Sequence, residues 1–142
     1  MQSTRPVCAE RTQVLDTLLT ESAFNTHVRG DCMTPLIQDQ SKVTVEPGSK
    51  LKCGDVMVWR DNSERMVCHR FLGRFPGRRG TGAVSWADSV SRPDGLVAMS
   101  RVLGRVSKVD GVPLNISLLS RARARLRYLR YAWIRVTRLI SS

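Results

Sequence analysis

The chain has 142 residues, of which 42% are hydrophobic, and this combination indicates one folded domain with a modest core and excludes wholesale disorder. Its net charge of +11 predicts an acidic partner, namely anionic lipid, nucleic acid or an acidic peptide, without choosing among them. No apolar run approaches the about 20 residues that a transmembrane helix needs, and the first 27 residues contain no apolar signal-peptide core.

The predicted elements begin with a short amphipathic helix over residues 10–22. Half-buried strands follow at 27–29 and 42–46, where apolar and polar residues alternate. Residues 55–60 and 65–72 predict two apolar strands separated by a turn, and we expect them to pair as a hairpin. The apolar positions of the first helix are Val14, Leu15, Leu18 and Leu19.

The second half of the chain begins with residues 73–82, which are rich in Gly and Arg and predict a mobile basic loop. A short strand begins at residues 84–86, a polar and turn-rich stretch follows at 89–95, and residues 97–109 alternate again. Gly104 inside this last segment indicates a bulge or a close approach of two backbones. Short strands with few helices predict a mainly β core.

Residues 118–140 predict a basic amphipathic helix that contains seven arginines and no acidic residue. Its apolar face is formed by Leu119, Ala122, Leu126, Leu129, Trp133, Val136 and Ile140. The arginines are Arg121, Arg123, Arg125, Arg127, Arg130, Arg135 and Arg138. The chain therefore divides into a helical segment at 1–24, a β domain at 25–112 and a basic helical segment at 113–142.

This helix has three open interpretations. In the first, its apolar face caps the β core and the arginines are solvated. In the second, the helix lies on an anionic membrane surface with Trp133, Tyr128 and Tyr131 near the headgroups. The third is nucleic-acid binding, which is disfavoured because no RNA- or DNA-binding motif accompanies the charge.

The four cysteines, at positions 8, 32, 53 and 68, form no C-x-x-C pair, so we expect no zinc site and no other cofactor. We expect a cytoplasmic protein, in which the cysteines remain thiols. Cys53 and Cys68 are interpreted as small buried hydrophobic residues. If the basic helix binds lipid, the protein would attach peripherally to the inner face of the membrane.

Two motifs that are far apart in the sequence carry the candidate chemistry. Cys32 lies in the segment Val28 to Leu36, beside a glycine and before Met-x-Pro, and it is a potential sulfur nucleophile. His69 lies at the end of an apolar strand and is a potential general base. A nucleophile and a base that are distant in sequence are typical of a catalytic dyad or triad.

Four motifs in the same order resemble those of the signal peptidase I and LexA-like superfamily. Residues 30–36 resemble its G-x-S-M-x-P-x box, and residues 52–56 resemble its G-D-[VI] box. Residues 68–73 are similar to the H-R-[VI]-[VIL]-G box of the endoplasmic-reticulum and SipW-like branch, which uses a His base. Residues 88–106 are similar to the tail of that branch. The resemblance covers about residues 25–110.

The resemblance implies a signal-peptidase-like β fold and hydrolysis of a peptide bond after small residues. It places the nucleophile at Cys32, the base at His69, and the supporting acid at Asp88 or Asp94. The substrate-binding candidates around the nucleophile are Gly30, Asp31, Met33 and Pro35, of which Met33 and Pro35 hold its turn.

The chain departs from the family pattern at several positions. Cys32 stands where the family has Ser, Gln40–Ser41 replaces a Gly-Asp pair, and Ala87 replaces a Gly. The N-terminal membrane anchor of the family is also missing. These departures resemble small soluble members of the group, some of which are encoded beside peptide-modification systems.

The resulting hypothesis is an endopeptidase that cleaves a leader or precursor peptide by Cys-His(-Asp) catalysis. The alternative is a non-catalytic peptide-binding module of the same fold. A LexA-like repressor fragment is disfavoured, because that branch uses a Lys base and no helix-turn-helix precedes residue 27. The oligomeric state stays open, as does the choice between Asp88 and Asp94.

Overall fold

The computed structural model describes residues 22–48 and 50–141, and these residues form an eight-stranded sheet and one long helix. The predicted mainly β class and the C-terminal helix are confirmed. The helix predicted at residues 10–22 lies almost entirely outside the described residues.

The strands are β1 (Phe24–His27), β2 (Lys42–Glu46), β3 (Val56–Arg60), β4 (Met66–Gly77), β5 (Gly80–Trp86), β6 (Gly95–Ala98), β7 (Val102–Val109) and β8 (Val112–Pro113). A 3-10 turn at Met99–Arg101 separates β6 from β7, and α1 (Leu118–Ile140) ends the chain. The sheet order is β1-β2-β7-β3-β4-β5-β6, with β8 beside β7. Each of these pairings is antiparallel.

The predicted hairpin is present as β3 and β4, in which Met57 lies opposite His69. The prediction of a mobile loop at residues 73–82 is wrong, because β4 and β5 continue through most of that segment and leave a turn at Arg78–Arg79. Glycine in this hairpin serves close packing. A Cβ on Gly73 would lie 2.8 Å from the Tyr128 ring, so the missing side chain lets α1 approach the sheet.

Three buried clusters form the core. The first joins β2, β3 and β7 to the segment between β1 and β2, the second lies beneath α1, and the third lies around β3, β4 and β5. Their largest buried members include Met33 and Ile37 in the first, Leu72 and Trp86 in the second, and Met57 in the third. Alternation along the strands divides the apolar residues between the two faces of the sheet.

The helix α1 caps the sheet through a face that differs from the predicted apolar face. Ala124 and Tyr131 are buried against the second cluster, and the Tyr128 hydroxyl donates to the Arg74 carbonyl at 2.6 Å. The large apolar residues of the predicted face point away from the sheet, and Trp133 is 73% exposed. The expectation that Tyr128 and Tyr131 lie near lipid headgroups is therefore wrong, since both rings pack against the protein.

Arginine side chains also attach α1 to the sheet. Arg121 donates to the Cys53 carbonyl at 3.0 Å and pairs with the buried Asp55 carboxylate at 3.0 Å. Arg127 lies over the Trp86 ring, with its guanidinium carbon 5.1 Å from the ring centroid. Ser117 caps the helix, because its hydroxyl accepts the Ser120 N–H.

Gly104 marks a close approach of β7 to the end of β2, as the sequence predicted. A Cβ there would collide with the Glu46 carbonyl oxygen and lie 3.0 Å from the Pro47 Cα.

Gly104→Ala should therefore lower the free energy of unfolding by about 2 kcal/mol, measured by denaturant titration. Gly77→Ala is the matched control, since its Cβ meets the flexible end of Leu96 at 3.0 Å and approaches a backbone atom, the Gly80 carbonyl oxygen, only to 3.2 Å. An equal loss in both variants would contradict this account of Gly104.

Candidate active site

Cys32 lies in a tight turn between β1 and β2 that is anchored from below by buried side chains. Met33 and Ile37 are almost fully buried in the first cluster, and the Ile37 N–H donates to the Met33 carbonyl at 2.9 Å. Cys32 itself is exposed. The apolar residues that follow the cysteine thus hold its backbone in place while its thiol faces outward.

The other residues predicted around the nucleophile have different surroundings. The Gly30 N–H donates to the Asp39 carboxylate at 2.8 Å, and the Asp31 carbonyl accepts the Thr34 N–H at 3.1 Å. Asp31 and Pro35 are exposed, whereas Met33 has no exposed surface. Met33 therefore supports the turn from inside the core and offers no surface to a substrate.

His69 is held in place by a carboxylate from another part of the sheet. Its Nδ1 lies 2.6 Å from Oδ2 of Asp94, which is next to the start of β6. The buried Ser85 hydroxyl donates to the same carboxylate oxygen at 2.7 Å. With Nδ1–H donating to Asp94, Nε2 is the ring nitrogen that is left to exchange a proton.

Asp88, the other candidate acid, has a different partner. Its carboxylate accepts hydrogen bonds from Nε and Nη2 of Arg70, the first at 2.7 Å. The Nη1 of the same guanidinium donates to the Gly54 carbonyl at 2.7 Å. Arg70 is 5% exposed, so this carboxylate neutralises a buried charge. The structure thus brings Asp94 to His69 and assigns Asp88 to Arg70.

The segment between β5 and β6 connects the candidate base to the candidate nucleophile. It carries Asp94 at one end, and near its other end the Ser89 N–H and hydroxyl donate to the Cys32 carbonyl at 3.1 Å and 3.2 Å. Trp86 fixes the segment in the middle, because its Nε1–H donates to the Val90 carbonyl at 2.7 Å. One short segment therefore touches both sequence-distant motifs.

Cys32 and His69 line the same open cavity, of about 720 Å³. Residues 26–29, at and just after the end of β1, also line this cavity, and so does Cys68. Within the described residues, no group of three or more His, Cys, Asp or Glu side chains is placed to hold a metal ion.

Burial raises the pKa of the Cys68 thiol to about 12, and electrostatic interactions with Cys32 and Asp88 contribute to the same shift. Cys68 packs against the first cluster, as expected for a small hydrophobic residue. Of the two thiols in the cavity, Cys68 is therefore protonated at neutral pH and a poor nucleophile.

A family model of peptidase S24-like proteins matches residues 3–77, just over half of the chain. The chain belongs to the peptidase S24-like family. This membership supports the signal peptidase and LexA-like superfamily and suggests a peptidase-type function. The matched region contains Cys32 and His69 and ends before Asp88 and Asp94. A search of the curated proteins finds no match to this S24-like chain.

Sequence reasoning missed three residues of the S24-like site. Ser85 and Ser89 lack a distinguishing pattern, because serine is common in turns and strand ends. Arg70 was visible as the second residue of the His-Arg box, and a buried arginine needs a carboxylate partner. That requirement indicates that a buried Arg70 would occupy one carboxylate, but it does not say whether that carboxylate is Asp88 or Asp94.

Asp88→Asn should lower the free energy of unfolding by about 3 kcal/mol, because it leaves the buried guanidinium of Arg70 without its counter-charge. Denaturant titration of the purified protein measures this loss. Glu64→Gln is the control, since it removes a carboxylate whose side chain is 62% exposed and which pairs with Arg60 at 3.4 Å, and it should cost less than about 1 kcal/mol. Similar losses in both variants would contradict the structural role of Asp88.

The raised pKa of Cys68 predicts a loss of stability in alkali. Unfolding returns the thiol to an ordinary pKa near 9.0, so between pH 9.0 and about 12 the unfolded chain releases a proton that the folded chain retains. Stability falls with rising pH across this window and is unaffected by Cys68 below it. Cys68→Val should remove this contribution, so its stability relative to wild type should improve as pH rises. A parallel pH dependence of the two proteins would contradict the burial of this thiol.

Proposed function

We propose that this S24-like protein is an endopeptidase of the His-base branch, in which Cys32 is the nucleophile, His69 the general base and Asp94 the supporting acid. The observation that carries the proposal is the position of His69. Its Nδ1 is bonded to Asp94 at 2.6 Å, on the wall of a cavity that Cys32 also lines. Asp88 has no direct part in catalysis in this proposal.

The proposed reaction has two steps. His69 Nε2 accepts the Cys32 thiol proton while Sγ attacks the substrate carbonyl carbon, and the resulting imidazolium then gives that proton to the departing amine. The product of this step is a thioester between Cys32 and the acyl part of the peptide. His69 next activates a water molecule, which releases the acid and restores the thiol.

Two further groups of the chain stabilise charge during these steps. The Cys32 backbone N–H is the proposed donor to the tetrahedral oxyanion, since its turn is supported by Met33. Asp94 accepts the Nδ1–H of His69 and stabilises the imidazolium while it exists. The Ser85 hydroxyl keeps the Asp94 carboxylate aimed at the ring.

The proposed substrate is an extended leader or precursor peptide. Among the described residues, β1 ends the strand order of the sheet, and its residues Thr26 and His27 line the cavity that contains Cys32. An extended peptide can add to such an edge through backbone hydrogen bonds, with side-chain pockets supplying specificity. A peptide bound along β1 would cross the cavity in front of the thiol.

Cys32→Ala should abolish cleavage of peptides encoded near this gene, and His69→Ala should do the same, because each removes a reacting group. Asp94→Asn should lower kcat/KM by at least about 100-fold, because the imidazole loses its orienting carboxylate. Cys53→Ala is the matched cysteine control and should cleave like the wild type. Mass spectrometry of the peptide products measures each outcome, and equal cleavage by wild type and Cys32→Ala would remove the proposal.

Thiol alkylation separates this enzyme from a non-catalytic peptide-binding module. If His69 activates Cys32, iodoacetamide should label Cys32 faster than Cys53 or Cys68, and His69→Ala should slow that labelling. A rate that is independent of His69, together with peptide binding and no product in any variant, would establish the binding module instead.

A further inference from the structure

The outward face of α1 carries a continuous apolar stripe that nothing in the described residues covers. Its members recur every three or four positions and so lie along one side of the helix. They are Leu118, Ala122, Leu126, Leu129, Trp133, Val136 and Ile140, and each is exposed. At 1.5 Å per residue the 23 residues of α1 extend this stripe over about 35 Å.

The stripe is distinct from the face that holds α1 on the protein. Ala124, Tyr128 and Tyr131 lie on the opposite side of the helix and already make the contacts with the sheet. An exposed stripe of this kind is costly, because apolar surface is in contact with water. Large contiguous apolar patches on monomeric proteins usually mark interaction sites. The chain therefore presents α1 with one face for folding and one face for a partner.

The charges beside the stripe define the chemistry of that partner. Arg125 borders one side of it, Arg123 and Arg130 border the other, and α1 contains no acidic residue. All three of these arginines are exposed. An apolar stripe that is bordered by arginine on both sides is complementary to an apolar surface that carries negative charge.

A basic pocket next to the stripe adds to this complementarity. It has a volume of about 630 Å³ and is formed by α1 and the segment before β6. Four arginines line it, and none of the described residues that line it is acidic. They are Arg92, Arg130, Arg135 and Arg138. A phosphate group fits this surrounding, because one guanidinium can donate two parallel hydrogen bonds to phosphate oxygens.

We propose that α1 binds the surface of an anionic bilayer, with its apolar stripe among the upper acyl chains and its arginines on lipid phosphates. The helix lies in the plane of the interface, as amphipathic helices with this pattern do. Trp133 is a member of the stripe, and tryptophan is favoured at such interfaces. Within the described residues no helix is long and apolar enough to cross a membrane, and surface binding requires no spanning segment.

A second copy of the chain is a poorer occupant of the same face. Two α1 stripes packed together would bring the bordering arginines of both helices close to one another, with no carboxylate on either helix to neutralise them. An anionic lipid surface instead supplies the opposite charge along the full length of the helix. Charge complementarity therefore selects the bilayer.

Vesicle co-sedimentation of the full chain tests the proposal. Wild type should bind vesicles of phosphatidylcholine mixed with phosphatidylglycerol at least about tenfold better than vesicles of phosphatidylcholine alone. The preference should vanish in about 1 M salt, where the screening length falls to about 3 Å. Removing the stripe with Leu126→Ser, Leu129→Ser and Trp133→Ser together should abolish binding, because these side chains are exposed and unnecessary for the fold.

Two charge variants separate local from overall charge. Arg123→Gln, Arg125→Gln and Arg130→Gln together should weaken binding at least about tenfold. The matched control removes the same number of charges from exposed positions elsewhere, through Arg78→Gln, Arg79→Gln and Lys108→Gln, and should bind nearly as well as wild type. Equal weakening in both sets would mean nonspecific attraction and would overturn the proposal.

Two other results would overturn the proposal that α1 binds an anionic bilayer. One contrary result is a wild-type dimer in light scattering that the stripe variant does not form, with no binding of wild type to vesicles. This result would assign the stripe to a second copy of the chain and overturn the proposal. A monomer that ignores anionic vesicles would also overturn the proposal. Cys32→Ala should bind vesicles like wild type, so failure of the peptidase proposal and failure of this one are distinguishable.

Discussion

The buried guanidinium of Arg70 is the fixed point around which the site is arranged. It binds the Asp88 carboxylate through two nitrogens and the Gly54 carbonyl through the third, so its position on β4 dictates where the segment after β5 begins. Because that segment starts at a fixed place, Ser89 reaches the Cys32 carbonyl and Asp94 reaches His69. The cost of an unpaired buried charge makes this arrangement hard to relax. The turn of the candidate nucleophile and the candidate base are therefore positioned by an ion pair that takes no part in the proposed reaction.

Arginine side chains also hold the helix α1 against the sheet. Arg121 and Arg127 point into the protein, where they pair with Asp55 and lie over Trp86, and Arg127 also comes within 3.8 Å of Asp88. These contacts, with the aromatic packing of Tyr128 and Tyr131, attach the helix without using its large aliphatic residues. The apolar stripe remains exposed and is the surface that we propose for the anionic bilayer. A helix that folds through small, aromatic and charged residues can thus carry a second function on its other face.

Much of the fold and part of the site were predictable from local patterns. The β3–β4 hairpin, the strand around Gly104 and the C-terminal helix follow from residue periodicity and turn chemistry, which depend on neighbours in sequence. The motifs around Cys32 and His69 were visible for the same reason. The hairpin of β4 and β5 was not predictable in this way, because a glycine-rich segment is typical of a loop. The structural reason for Gly73 is its contact with the Tyr128 ring, which is distant in sequence.

By itself, the sequence determined the class of fold, the superfamily and the chemical identity of the candidate nucleophile and base, because these depend on residue types and short spacings. Only the tertiary structure decided which acid meets the histidine and which face of α1 meets the sheet. Asp88 and Asp94 are six positions apart in one segment and chemically identical, so their roles depend on whether Arg70 or His69 lies across from them. The apolar face of α1 looked like the inward face, because periodicity shows that a helix has two sides but not which side the rest of the chain can reach.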